Sequence, residues 1–264
     1  MLTKNEILLS LQRINVPKDK VVTVHTSLRN IGSIEGGAQT LLDALVEHCT
    51  ADGGLLFIPT HTWGFMNDET VPVLDLLVPR SNLGVLPNVA LQDPRGIRSN
   101  HITHSVMVFG DDAEEFAKHD DCSITMVSPD GCYGELYRRA GYVLLIGVGQ
   151  EKNTFLHCVE EMLGVDNRNS KQPITLKMRH IDGKIEKKLL YPLYSEGIYD
   201  ISEQFGNYEL PFRKHGCIVD GRIGNADVQL CSARKMKSVM ELIYNKSNHK
   251  ELLADKTPID EKYY

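Results

Sequence analysis

The chain has 264 residues, of which 42% are hydrophobic and 24% charged, so it can bury a substantial core as one large domain. Its net charge is −6 and it has no long basic run, which argues against a surface that binds nucleic-acid backbones. It lacks the apolar segment of a signal peptide and any apolar run near the roughly 20 residues of a membrane span, so we expect a cytoplasmic protein without membrane partners.

The first 60 residues predict a helix followed by a β-loop-α-β unit. Thr3 and Glu6 have the spacing of a capping box, which marks the start of the first helix. The two predicted strands, "VVTVHTSL" and "LLFIPT", are rich in β-branched and apolar residues, as buried strands are. The predicted bounds are a helix over 3–15, a strand over 21–28, a helix over 38–50 and a strand over 55–60. Such units normally form a right-handed parallel crossover.

The stretch 61–100 is irregular, contains four prolines, and allows one short helix over 83–92. A segment of this length without clear periodicity is more often a binding loop than a connector. The chain then returns to regular structure. The predicted elements are a strand over 104–110, helices over 112–120 and 131–141, a buried strand over 142–148 and a helix over 154–163.

The character of the sequence changes near residue 173. "PITLKMRHIDGKIEKKLLYPL" alternates around an "IDGK" turn, which predicts a hairpin, and a short helix is expected over 200–209. "HGCIVDGRIGNADVQLCSA" is again β-like, with Asp-Gly and Gly-Asn turns, and a closing helix over 232–247 has Ser232 as its cap. We therefore expect the α/β class in a single domain over 1–264. A layered core with a mixed sheet (about 1–172 and 232–264) would carry a smaller antiparallel β-rich segment (about 173–231).

Two loops carry polar residues or glycines in patterns that suit a ligand. In "HTSLRNIGSIEGGAQT", Gly36 and Gly37 stand just before a helix, where backbone N–H groups can bind a phosphate. They serve equally well as a plain turn into that helix. In "RGIRSNHITHS", the polar residues either line a pocket or form a solvated loop. The residues in question are Arg98, Ser99, Asn100, His101 and His104.

The segment "GVGQEKNTFLHCVEE" places a histidine and a carboxylate just after a buried strand. His157 and Glu160 are three residues apart and therefore share one helix face. Ligands of α/β sheets bind at the carboxyl ends of strands, where a histidine suits a general base and a carboxylate can orient it. From the spacing alone, a packed structural histidine with solvated glutamates is the more common arrangement, because His–Glu pairs are frequent on helices. Cys158 is a weaker candidate, because as the next residue it points elsewhere on the helix.

The six cysteines form no metal-ligand spacing, and we expect them to be reduced and mostly buried. His157 and Glu160 alone have no partner motif for a metal ion, so no metal is expected. The chain also lacks the GxSxG motif of a hydrolase nucleophile elbow.

Taken together, three segments resemble the aminoglycoside 3-N-acetyltransferase family, the antibiotic N-acetyltransferases that do not have the GNAT fold. They are "VVTVHTSLRNIGSIEGGAQTLLDALVEHCTADGGLLFIPTHTW", "RSNHITHSVMVFG" and "SPDGCYGELYRRAGYVLLIGVGQEKNTFLHCVEE". Their order and spacing are similar to the family's from about residue 4 to about 240. The resemblance implies an α/β core with extra β-structure, transfer of an acetyl group from acetyl-CoA to a primary amine, and a possible homodimer.

The resemblance also implies roles for individual residues. His157 corresponds to the general base, with Glu160 at the carboxylate position of the same motif. Contacts to the co-substrate would come from Thr26, Ser27, Leu28, Gly36, Gly37 and Ala38. Contacts to the amine substrate would come from Trp63, Asn100, Glu161 and Glu196.

Two other functions stay open. The stretch "YPLYSEGIYDISEQ" carries fewer acidic residues than family members that hold a polycationic drug. That composition favours an acyltransferase for an amino sugar of surface polysaccharide or natural-product biosynthesis. A non-catalytic CoA-binding module is the third possibility.

Overall fold

Nine α-helices and ten strands make up the chain, and the computed structural model describes all of residues 1–264. The strands are β1 (Val21–Thr26), β2 (Leu55–Pro59), β3 (Leu74–Asp75), β4 (Ile97–Arg98), β5 (Val106–Phe109), β6 (Tyr142–Ile146), β7 (Ile174–Arg179), β8 (Ile185–Leu190), β9 (Ile218–Ile223) and β10 (Ala226–Ser232). The helices are α1 (Lys4–Arg13), α2 (Leu28–Ile31), α3 (Gly37–Cys49), α4 (Val85–Ala90), α5 (Ala113–Ala117), α6 (Cys132–Arg138), α7 (Phe155–Met162), α8 (Glu209–Lys214) and α9 (Ala233–Lys246). Short 3₁₀ turns cover Trp63–Phe65, Lys118–Asp120, Gln150–Lys152, Ile201–Tyr208 and Glu261–Tyr263.

The main sheet has seven strands in the order β4-β5-β2-β1-β6-β10-β9. Its centre is parallel, because β1 pairs in parallel with both β2 and β6, and the outer pairs are antiparallel. A smaller sheet has the order β3-β7-β8, in which β7 and β8 form the predicted hairpin and β3 adds in parallel. The expected α/β class and the β-loop-α-β crossover at the start of the chain are confirmed.

The hydrophobic core lies on both faces of the main sheet, because side chains alternate along each strand. In β2, Leu55 and Phe57 join one buried cluster, and Leu56 and Ile58 join the other. One cluster is covered by α1 and α3, and the other by α6, α7, α9 and the smaller sheet. Burial on both faces explains why the central strands read as continuous apolar runs rather than alternating ones.

Both predicted helix caps are present. Thr3 Oγ1 accepts a hydrogen bond from the Glu6 backbone N–H at 3.3 Å, and Glu6 Oε2 accepts one from the Thr3 backbone N–H at 2.8 Å. Ser232 caps α9 by accepting from the backbone N–H of Lys235. These bonds satisfy helix N–H groups that have no partner within the helix.

The expected β-rich segment over about 173–231 is divided between the two sheets. β7 and β8 belong to the smaller sheet, whereas β10 pairs antiparallel with β6 and brings β9 into the main sheet. The predicted Gly-Asn turn joins β9 to β10, but the predicted Asp-Gly turn is wrong, because Gly221 lies inside β9. Glycine is needed there for a different reason: a Cβ atom would lie 2.2 Å from Cγ1 of Ile14.

All six cysteines are free, and Cys122 alone is exposed. No helix of the structure combines the length and the apolar character that crossing a membrane requires.

Gly134 allows α6 to pack closely on the loop before it. A Cβ atom at this position would lie 1.6 Å from the carbonyl oxygen of Pro129. We expect Gly134→Ala to lower the free energy of unfolding by about 1–3 kcal/mol, the range for overpacked sites, as measured by urea denaturation. Gly206→Ala is the matched control, because no atom lies within 4 Å of its Cβ position. Equal unfolding midpoints for the two variants would contradict the close packing of α6.

Candidate active site

A cavity of about 880 Å³ opens at the carboxyl ends of the three parallel strands. Thr26 ends β1, Pro59 ends β2 and Val148 follows β6, and all three contribute to its wall. Parallel strands that end at one edge bring the residues after them together, which is the usual place for a ligand in an α/β sheet. The wall is mixed, with 10 hydrophobic residues among 24.

His157 faces this cavity from α7. Its neighbours Leu156 and Cys158 are fully buried in the core, which fixes the rotation of the helix. The imidazole packs on the ring of Phe205, with 4.7 Å between ring centroids. Its Nδ1 has no hydrogen-bond partner and lies 3.7 Å from Oε2 of Glu160. This distance is just beyond a hydrogen bond, and catalytic hydrogen bonds are often long before substrate binds.

Glu160 is held from behind by a buried ion-pair network. Its side chain is 1% exposed, and its Oε1 accepts a hydrogen bond of 2.6 Å from Nε of Arg168. The same guanidinium donates to both oxygens of Glu251, at 2.7 and 3.1 Å. Burial lowers the pKa of Arg168, but the charges and hydrogen bonds of its two carboxylate partners raise it more, so the guanidinium remains charged. The anchored Oε1 leaves Oε2 of Glu160 free on the side of His157.

Three further histidines contribute to the cavity wall: His25, His61 and His104. Burial lowers the pKa of His25 to about 4 and holds the pKa values of His61 and His104 well below the usual value. All three are therefore neutral at neutral pH. The His61 and His104 rings lie 4.2 Å apart between centroids, and His61 Nε2 is 3.2 Å from the hydroxyl of Tyr133. Sequence reasoning missed His25 and His61, although His61 lies in the segment just after a buried strand, a position similar to the one that drew attention to His157.

The polar group around "RSNHITHS" is buried, so its interpretation as a solvated loop is wrong. Ser99 and His101 are 1% and 3% exposed. His101 bonds the carbonyl oxygen of Thr125 through Nε2 at 2.8 Å and accepts two backbone N–H groups through Nδ1. Of this group only His104 reaches the cavity wall, while Asn100 donates to Asp121 outside it. Most of this segment therefore packs behind the cavity wall, and only His104 faces the cavity.

Among the residues expected to contact the co-substrate, Thr26 lines the cavity. Its Oγ1 is buried and has no hydrogen-bond partner in the protein. Ser27 and Leu28 begin α2 behind the wall, and Gly36 and Gly37 take positive φ angles of 72° and 67° where α3 starts. Ala38 follows in the first turn of α3. None of these other five lines the cavity, so their role stays a prediction.

The residues expected to contact the amine are spread over different surroundings. Trp63 lines the cavity and is 47% exposed at its rim. Glu161 points away from it and accepts hydrogen bonds from Thr125 and Asn169, at 2.8 and 3.1 Å. Glu196 does not line the cavity either, and its backbone N–H donates to Asn167.

The charged residues that do line the cavity are Glu151, Lys152 and Asp200. Glu151 and Lys152 lie in the 3₁₀ turn between β6 and α7, and Asp200 caps the 3₁₀ turn Ile201–Tyr208. Two carboxylates and one ammonium group give the wall a weakly negative balance. This balance suits an amine, which is cationic before it reacts.

A model of the aminoglycoside 3-N-acetyltransferase family matches residues 23–244. Aminoglycoside N(3)-acetyltransferase IV from Salmonella sp is 31% identical over 163 residues, which cover 61% of this chain and 60% of that protein. The aminoglycoside N(3')-acetyltransferase-like protein YokD from Bacillus subtilis strain 168 is 24% identical over 176 residues, 60% of this chain and 64% of that protein. Both alignments thus span less than two thirds of the relative.

Solved structures share the fold over nearly the whole chain. AAC-IIIb, in a binary complex with CoASH, superposes with a TM-score of 0.79 at 19% identity and covers 93% of this chain and 97% of its own. AAC-VIa bound to sisomicin gives a TM-score of 0.74 at 21% identity, with 94% and 99% covered. At these identities the likeness establishes the fold.

Proposed function

We propose, from the premise that the chain belongs to the aminoglycoside 3-N-acetyltransferase family, that it transfers an acetyl group from acetyl-CoA to a primary amine of an aminoglycoside or a related amino sugar. The main support for the proposal is the His157–Glu160 pair. His157 lines a large cavity at the carboxyl ends of the parallel strands, and Glu160 lies behind it. A general base next to a space for both substrates is what acyl transfer to an amine requires.

In this mechanism His157 acts as the general base. The acceptor ammonium first loses its extra proton to solvent. The lone pair of the neutral amine then attacks the carbonyl carbon of the acetyl thioester, the C–N bond forms, and His157 takes a second proton from that nitrogen. The C–S bond then breaks, and the departing thiolate receives a proton from His157 or from solvent. No side chain of the protein needs to be acetylated on this route, and buried Cys158, whose thiol pKa is raised by burial, stays a thiol.

Glu160 stabilises the protonated imidazole. Its free Oε2 is 3.7 Å from His157 Nδ1, and a small movement on substrate binding would convert this contact into a charge-assisted hydrogen bond. Such a bond fixes the ring so that Nε2 faces the acceptor. Arg168 keeps the buried carboxylate ionised and in place from the opposite side.

The cavity wall offers the co-substrate one cation, because the ammonium group of Lys152 can face a phosphate. Thr26 lines the same wall, but its unpartnered Oγ1 is buried and would reach an amide of the pantetheine arm only after its side chain rotates. Acetyl-CoA supplies the acetyl group as an activated thioester. Its other predicted contacts at the start of α3 would come from backbone N–H groups, which favour anions at helix N-termini.

The weakly negative wall supports a second candidate acceptor, an amino sugar with one or two amines. A polycationic aminoglycoside gains most from a dense acidic cluster, whereas this cavity has two carboxylates and one lysine. The two candidates share the same chemistry and differ in the substrate alone.

Thiol release from acetyl-CoA with a panel of amines tests the function and separates the candidates. We expect thiol release with at least one aminoglycoside or amino sugar, and a kcat/KM for the better class at least tenfold above that of the other. Mass spectrometry should find one added acetyl group on the amine. Binding of CoA by calorimetry without thiol release for any amine would overturn the proposal and favour a binding module.

A further inference from the structure

His61 is a polar residue of the cavity wall that the mechanism above does not use. It lies two residues after the end of β2 and is 2% exposed. Its backbone carbonyl accepts hydrogen bonds from Ser81 Oγ at 3.0 Å and the Asn82 N–H at 2.9 Å. The ring of His104 lies against its ring. The imidazole therefore occupies a fixed position at the edge of the sheet where His157 also lies.

One ring nitrogen of His61 is engaged by Tyr133. The hydroxyl of Tyr133, a buried side chain of α6, is 3.2 Å from Nε2. Nδ1 has no hydrogen-bond partner within the protein. It is also not fully buried, so it keeps some accessible surface. Because Nε2 points toward α6, Nδ1 is the polar atom that the ring can offer to the cavity.

Both partners of this contact are neutral. Burial lowers the pKa of His61 well below its usual value. Burial raises the pKa of the Tyr133 phenol well above its usual value. A neutral imidazole carries one N–H, and a phenol that donates to Nε2 places that proton on Nδ1.

We propose that His61 is a further catalytic residue, whose Nδ1–H donates a hydrogen bond to the carbonyl oxygen of the acetyl thioester, and that Tyr133 is the positioning residue that fixes this tautomer. The inference rests on the proposed acetyl transfer. Negative charge grows on the carbonyl oxygen as the C–N bond forms and leaves it as the C–S bond breaks, while the proton stays on Nδ1. Preorganised donors of this kind are large contributors to acyl transfer. A neutral donor also suits a site where His157 becomes cationic in the same step, because a second imidazolium would be repelled.

Three variants test the assignment. His61→Leu removes the donor and should lower kcat by about 10²–10³-fold, with KM for acetyl-CoA changed only a few fold. His61→Asn places an amide N–H close to the position of Nδ1 and should stay within about tenfold of the parent enzyme. His61→Gln places its amide near the position of Nε2 instead and should be nearly as impaired as His61→Leu. Equal losses in the asparagine and leucine variants would overturn the proposal.

Two measurements separate catalysis from a structural role. The pH dependence of kcat/KM should keep its position in His61→Leu, since His61 is not the group that titrates; a lost basic or acidic limb would contradict this. In ¹⁵N spectra His61 should show one tautomer with its proton on Nδ1, and Tyr133→Phe should lose that preference. A parent enzyme without thiol release refutes the acetyl transfer itself, whereas an active parent and an equally active His61→Leu refute only the role of His61.

Discussion

Replacing His157 by glutamine should lower kcat for acetyl transfer by about 10²–10⁴-fold, the range for the loss of a positioned general base. Glutamine keeps the approximate volume and the packing on Phe205, but it cannot take a proton from the acceptor nitrogen. The unfolding midpoint should move little, because Nδ1 of His157 makes no hydrogen bond in the structure that would be lost. The measurement is steady-state thiol release from acetyl-CoA with the best amine of the panel.

His180 offers a matched control for this substitution. It is also paired with a glutamate, with Nε2 2.7 Å from Oε2 of Glu186, but it lies on the β7–β8 hairpin and not in the cavity wall. His180→Gln should therefore leave kcat within about twofold of the parent value. If His157→Gln is no more impaired than His180→Gln, the general-base assignment is wrong.

The sequence was sufficient to predict most of the longer elements of the fold, because each depends on local pattern, but it did not predict the short α2, β3, β4 and α8. Capping residues marked α1 and α9, and runs of β-branched residues marked β1, β2 and β6. The division of the C-terminal half between two sheets was not predictable in this way. It depends on β10 pairing with β6, whose paired residues lie 82 to 90 positions apart, and local propensity does not encode such a partner.

The same contrast holds for the candidate site. His157 and Glu160 were found because both are on one helix turn after a strand. His61 and Asp200 reach the cavity from distant parts of the chain, and only the assembled sheet brings them to the same edge. Arg168 and Glu251 are further examples: neither lies in a motif, and both became relevant when the structure placed them behind Glu160.

Replacing Arg168 should cost several kcal/mol of stability, about 3–5 kcal/mol for a broken buried ion pair. Its guanidinium is 4% exposed and bridges two carboxylates, Glu160 and Glu251, of which Glu160 is 1% exposed. Arg168→Met would leave the Glu160 charge buried without a cation, and breaking a buried pair in this manner costs about 3–5 kcal/mol. We expect that loss in the free energy of unfolding by urea denaturation. We also expect lower kcat under conditions where the variant is folded, because Glu160 is no longer anchored.

Arg213 is the matched control, since it too pairs with two carboxylates, Glu209 and Asp220, but is 36% exposed. Exposed pairs contribute about 0–1 kcal/mol, so Arg213→Met should be nearly as stable as the parent. Adding Glu160→Gln to Arg168→Met removes the buried charge and should recover part of the lost stability, but not the lost kcat. If Arg168→Met and Arg213→Met had the same free energy of unfolding, the Glu160 carboxylate would not be held as a buried anion. The proposed role of Glu160 in stabilising protonated His157 would then be wrong as well.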